Sequence, residues 1–168
     1  MKSITIYKIF TYLLLPFALL MLLTFFPMLM AAFASPTALL PLFMLACIII
    51  YIACSYTFLQ KGIVREMACK KSLREWIKVN AYVSIAFVIL MLAQISVLLS
   101  NSSETSKQLM DAFVMQSNGN VPPQLTTTLI QKMLNFIMYF MFIYSIILGV
   151  HIFITLRFIK LYNHIFSK

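Results

Sequence analysis

His151 is the residue of this sequence best placed to do chemistry, because no Lys, Arg, Asp or Glu occurs between Met133 and Leu156 around it. An imidazole changes charge near neutral pH, so a His at membrane depth could carry a proton or hold a ligand. The plainer role is a neutral ring hydrogen-bonded to a hydroxyl or a backbone carbonyl. At about 100° per residue, Tyr144 and Thr155 share its side of a helix. Cys54 and Ser55 lie at similar depth on another uncharged stretch. His164 is about three and a half turns away, a poor partner for a haem.

The other polar groups at membrane depth fall into two helical stripes. Asn80, Ser84, Phe87, Met91, Gln94 and Leu98 stay close to one line. Gln131, Asn135, Met138, Phe142, Ser145 and Gly149 keep to one arc, with His151 on the opposite side from Asn135. Lipid cannot satisfy such groups, so they are expected at helix–helix contacts, with Gln94 meeting Asn135 or Tyr139. Ser145-xxx-Gly149 is a small-xxx-small pair suited to close approach. Gln94, Asn135, Tyr139 and His151 are thus the candidate intramembrane polar site.

What is missing excludes more than what is present. The chain has 4 Asp+Glu, 2 His and 3 Gly. No carboxylate lies in the uncharged core of any span, so the coupling charge of a proton-driven pump is absent. Glycine-rich phosphate loops and metal clusters have no material, and no nucleophile–base motif occurs. Cys47 and Cys54 stand two helical turns apart, about 10 Å, too far for a disulfide. No cofactor, metal or enzymatic activity is expected.

The elements that hold these groups follow from the distribution of charge. Hydrophobic residues make up 62% of the 168-residue chain, charged residues 10%, and the mean hydropathy is +0.97. A soluble domain carries about 25% charged residues. No charge occurs from Ile9 to Gln60, which is long enough for two crossings at about 20 residues each. The break falls at Ser35-Pro36, a capping residue followed by a first-turn proline. Further uncharged runs cover Val79 to Ser103 and Met133 to Leu156. The expected fold is an all-α integral membrane protein: one four-helix transmembrane bundle over 1–168, with spans at about 5–33, 36–60, 73–100 and 127–162. The first apolar stretch, about 22 residues, exceeds the 7–15 of a signal peptide, so no cleavage is expected.

With the N-terminus inside, eleven of the 13 Lys+Arg lie inside, and only Lys107 and Lys132 lie outside. Two acids fall on each side, so the net +9 is wholly internal. The charge therefore reports an N-in/C-in topology rather than a nucleic-acid partner. The expected location is a multi-pass position in a bacterial inner (plasma) membrane. Pro16 and Pro27 predict bends in the first span, and Pro41 falls at the start of the second.

Two connections have content. In the inner basic loop 61–72, Ile63, Val64, Met67 and Ala68 recur at helical spacing, which predicts a short surface helix on anionic lipid. Ser72 and Glu75 form a capping-box pattern for the third span. Arg65, Lys70, Lys71, Arg74, Trp76 and Lys78 are the candidate contacts to anionic headgroups. In the outer loop 101–126, Leu109, Met110, Phe113 and Val114 form the stripe of a short amphipathic helix and a candidate partner surface. Ser117-Asn118-Gly119-Asn120 and Pro122-Pro123 are expected to end it, and Thr126 or Thr127 to cap the fourth span.

The leading expectation is a non-enzymatic accessory, scaffolding or regulatory subunit that meets another membrane protein or a second copy of itself. A small transporter or oligomeric channel, with a polar cavity between the third and fourth spans, is the alternative. A lipid or lipophilic-ligand module built on Phe136, Tyr139, Phe140 and Phe142 is the third.

Overall fold

A computed structural model describes residues 2–116 and 126–166 of the chain. Every regular element in it is helical: α1 (Lys2–Ala34), a 3-10 turn (Pro36–Ala38), α2 (Leu39–Thr57), a π-helical extension (Phe58–Val64), α3 (Lys71–Ser100), α4 (Ser102–Gln116), α5 (Thr127–Leu161) and a 3-10 turn (Asn163–Ile165). Four helical stretches are long and apolar enough to cross a membrane: Ile4–Ala34, Pro36–Val64, Lys71–Ser100 and Thr127–Leu161. These match the four expected spans within a few residues. The amphipathic helix expected in the loop 101–126 is α4. The turn and proline signals at 117–123 lie outside the described residues.

The 33 residues of α1 and the 35 of α5 give lengths of about 50 Å. Both exceed a hydrocarbon core of about 30 Å, so they tilt or extend beyond it. Pro16 and Pro27 lie inside the continuous helix α1. Ser35 takes the N-cap position with extended backbone, but its hydroxyl bonds the Thr37 hydroxyl at 2.8 Å instead of an amide. Thr126 does cap α5, accepting the Leu129 amide at 3.2 Å.

The chain divides into two compact units. The first holds α1, α2 with its extension, α3 to Val88 and α5 from Ile147. Its core includes Leu14, Ile48, Ile52, Phe58, Ile77 and Leu148, each with no exposed surface. Lipid is as apolar as these side chains, so close packing and interhelical hydrogen bonds hold such a unit, not transfer from water. The second unit holds the remainder of α3, all of α4 and α5 to Ile146. Ile95, Ser106, Met138 and Ser145 are buried within it.

The connection 61–72 departs from its sequence reading. No surface helix forms over 63–68. The second span runs on as a π-helix to Val64, and Glu66 then takes a left-handed backbone (φ 52°). The Met67 amide reaches back to the Lys61 carbonyl at 2.9 Å. This is the kind of stop that glycine usually supplies at a helix end. Of the expected stripe, Ile63 turns inward while Val64, Met67 and Ala68 stay exposed, and the neighbouring Cys69 is buried. The Cys69 amide donates to the Ile165 carbonyl at 2.9 Å, and Phe58 stacks on Phe166 with centroids 5.3 Å apart. The capping box is not made either. Because α3 begins at Lys71, Ser72 is already inside it, and the Glu75 carboxylate accepts from Arg74 Nε at 3.0 Å with Lys78 at 3.6 Å.

Candidate functional site

Each helix of the first unit carries a polar pair four residues apart. The pairs are Tyr7/Thr11 on α1, Tyr51/Ser55 on α2, Asn80/Ser84 on α3 and His151/Thr155 on α5, and all eight residues are buried. Spacing of four puts both members on one helical face, one turn apart. The α3 pair satisfies itself: Asn80 Nδ2 donates to the Trp76 carbonyl and Ser84 Oγ to the Asn80 carbonyl, both at 2.7 Å. The interhelical bonding expected of that stripe is therefore replaced by bonding along its own helix. The other three pairs meet around His151.

His151 has no exposed surface. Thr11 Oγ1 lies 2.9 Å from its Nε2, and Tyr51 Oη lies 2.8 Å from its Nδ1. Tyr51 Oη also lies 2.9 Å from Thr155 Oγ1. The Tyr7 ring stacks on the imidazole, with centroids 5.1 Å apart and planes 12° apart, and Tyr7 meets Phe158 edge-on. The Tyr7 hydroxyl points to the Ser55 carbonyl at a long 3.4 Å.

Proton counting assigns the roles. The Thr11 hydroxyl donates to the Tyr7 carbonyl at 2.8 Å, so towards His151 it accepts, and Nε2 carries the hydrogen. In the neutral ring Nδ1 is then an acceptor, and Tyr51 donates to it. The Thr155 hydroxyl has one hydrogen to divide between the His151 carbonyl at 2.8 Å and Tyr51 Oη. Both ring nitrogens are satisfied, and α1, α2 and α5 are clamped through one side chain. Interhelical hydrogen bonds in membranes contribute about 0.6 kcal/mol on average and up to about 1.7.

The structure treats the candidate polar residues differently. His151 sits at the centre of a network, with Thr155 as anticipated and with Tyr7, Thr11 and Tyr51 beyond what was anticipated. Tyr144 belongs to the second unit. Gln94 and Tyr139 are exposed, and no hydrogen bond among the described residues joins either to Asn135. Asn135 Oδ1 and Ser145 Oγ are buried without a partner. The small-xxx-small expectation is also modified. A Cβ built on Gly149 would find only Val88 Cγ1, at an ordinary 3.7 Å, so no close approach demands the glycine. Phe136, Tyr139, Phe140 and Phe142 all face outward.

The remaining candidates lie on the surface. Arg65, Lys70, Lys71 and Trp76 are exposed, and Arg74 and Lys78 are half-buried. On α4, Leu109 and Phe113 are exposed while Met110 and Val114 are half-buried, so half of the apolar stripe is uncovered. Among the described residues no group of three or more His, Cys, Asp or Glu comes together. Comparison with protein-family models, with curated proteins and with solved structures finds no match to this chain.

Proposed function

We propose that this chain is a non-enzymatic, multi-pass membrane protein that serves as an accessory, scaffolding or regulatory subunit, placed N-in/C-in in a bacterial inner membrane. The observation that carries the reading is the unpartnered amide of Gln94. It is exposed on α3, about 9 Å short of the helix end at Ser100, with no hydrogen-bond partner among the described residues. Lipid offers it none, and a neighbouring helix would. The exposed half of the α4 stripe supports the same reading.

The His151 network favours this reading over transport. A conduit needs polar groups open to water, whereas this ring is sealed and bound on both nitrogens. The orientation rests on the eleven-to-two division of basic residues, and cysteine labelling of sealed vesicles at Ser103 and at Lys160 tests it.

The functional test is a mild-detergent pull-down of the tagged full chain from its native membrane, read by mass spectrometry. The expected result is a stoichiometric membrane-protein partner or a homo-oligomer that Gln94→Leu weakens. Recovery of the chain alone, monomeric and unchanged by the substitution, would refute the proposal.

A further inference from the structure

The fold creates a second feature, unconnected with Gln94 or His151, on the face of α5 that follows the buried site. Arg157 is exposed and makes no ion pair among the described residues, since the ion pairs found there all involve Glu75. Two apolar grooves flank it. One, of about 320 Å³, lies between the start of α1 and the end of α5, walled by Ile4, Ile6, Ile154 and Leu161 and reaching Tyr162. The other, of about 280 Å³, is bounded by Leu156 and Lys160. Phe153 and Arg157 line both.

From this geometry we infer that Arg157 and its paired grooves form a binding site for one anionic phospholipid. The phosphate lies on the guanidinium, with the Lys160 ammonium one turn away, and the acyl chains lie along the two grooves beside Phe153. A guanidinium offers the paired N–H groups that match phosphate oxygens. Basic pockets between membrane helices near the headgroup level are the usual place for anionic lipid. The depth fits: Arg157 lies one turn towards the helix end from Phe153, whose ring is 72% exposed among apolar neighbours. Charge complementarity selects an anionic lipid over a zwitterionic one. Neither groove contains a carboxylate, and the chain as a whole carries +9. The apolar walls select a phospholipid over free phosphate, which would leave them unfilled. The site is distinct from the inner-loop bases Arg65, Lys70 and Lys71, which line neither groove.

Native mass spectrometry of the full chain, released from detergent micelles after titration with phosphatidylglycerol or phosphatidylcholine, tests the assignment. The wild type is expected to retain one phosphatidylglycerol per chain with at least about tenfold preference over phosphatidylcholine, which corresponds to 1.4 kcal/mol. Arg157→Gln should abolish the preference, Arg157→Lys should keep part of it, and Lys70→Gln/Lys71→Gln should leave it intact. Arg157 is exposed, so circular dichroism should show the same helix content in all variants. Added glycerol phosphate should fail to displace the lipid. Equal retention of both lipids, an unchanged preference in Arg157→Gln, or displacement by glycerol phosphate would each overturn the proposal.

Discussion

Tyr51→Phe removes one oxygen from the first unit and leaves the shape of the core almost unchanged. The consequence follows from the hydrogen bonds of its neighbours. Thr155 keeps its bond to the His151 carbonyl at 2.8 Å. Thr11 keeps the Tyr7 carbonyl, also at 2.8 Å. His151 does not escape: with Tyr51 Oη gone, Nδ1 has no partner, and no tautomer of a neutral ring satisfies both nitrogens. A buried polar atom left unsatisfied costs about 1–3 kcal/mol. Membrane measurements of single interhelical bonds pull that figure down, since unfolded helices in lipid find substitute partners. The expected loss is about 1–1.5 kcal/mol, close to a tenfold shift in the unfolding equilibrium. His151→Leu should behave differently, because every hydroxyl around it retains a carbonyl or hydroxyl partner. It should lose chiefly the Tyr7 stack, about 0.5–1.5 kcal/mol. In the His151→Leu background, Tyr51→Phe should then cost close to nothing, a coupling of about 1 kcal/mol. Equilibrium unfolding of the four proteins in mixed micelles measures the cycle. An equal cost of Tyr51→Phe in both backgrounds would show that the imidazole is not what Tyr51 serves.

Other outcomes follow from single contacts. Gly62→Ala places a Cβ 3.0 Å from Phe58 Cδ2, and Phe58 is fully buried against Phe166, so the variant should lose about 1–3 kcal/mol in the same unfolding assay. Gly149→Ala has room and should be neutral or gain up to about 1 kcal/mol from helix propensity. Burial holds the Cys69 thiol above its ordinary value, with Lys61 opposing. Iodoacetamide at pH 8 should therefore modify Cys69 more slowly in the folded protein than after denaturation. Because the unfolded chain loses this proton first, the thiol's contribution to stability should decline as pH rises past the ordinary thiol value of about 8.5. Arg74 Nη1 donates to Asn163 Oδ1 at 2.8 Å on the surface. Asn163→Ala should cost under about 0.5 kcal/mol globally yet speed hydrogen exchange in the 163–166 turn.

The spans were legible because charge is excluded from lipid: the uncharged runs Ile9–Gln60, Val79–Ser103 and Met133–Leu156 locate the helices, although these run on past the bounding bases, to Val64, back to Lys71 and to Leu161. The capping Thr126 and the existence of α4 were legible from local chemistry. The His151 network was half legible. His151 and Thr155 stand out as polar residues four apart, but Tyr7, near the start of its span, reads as an interface residue, and mid-span Tyr51 reads as an ordinary apolar ring. The usable signal was the recurrence of polar pairs at spacing four on each helix of the first unit. The surface helix over 63–68 was misread because spacing alone cannot show that Cys69 is drawn in by the Ile165 carbonyl. That contact joins positions far apart in sequence. The expected contact of Gln94 with Asn135 or Tyr139 is not made among the described residues, because periodicity places polar groups on one face without saying what packs against it.

The 61–72 connection and the His151 clamp are both closed by residues that the ribosome makes long after their partners. The Cys69 amide bonds the carbonyl of Ile165, 96 residues later, and Phe58 stacks on Phe166. At about 5–20 residues per second, synthesis separates Cys69 from Ile165 by about 5–20 s. His151 reaches Tyr51 and Thr11 across 100 and 140 residues. During that interval α1 and α2 sit in the bilayer with the Tyr51 and Thr11 hydroxyls still lacking the ring they will bind. Thr11 can wait on its own helix carbonyl. Tyr51 has no such local partner, so the nascent first hairpin carries one polar group that only α5 can quiet. A nascent chain stalled before residue 151 should therefore be the form that insertion-quality control recognises.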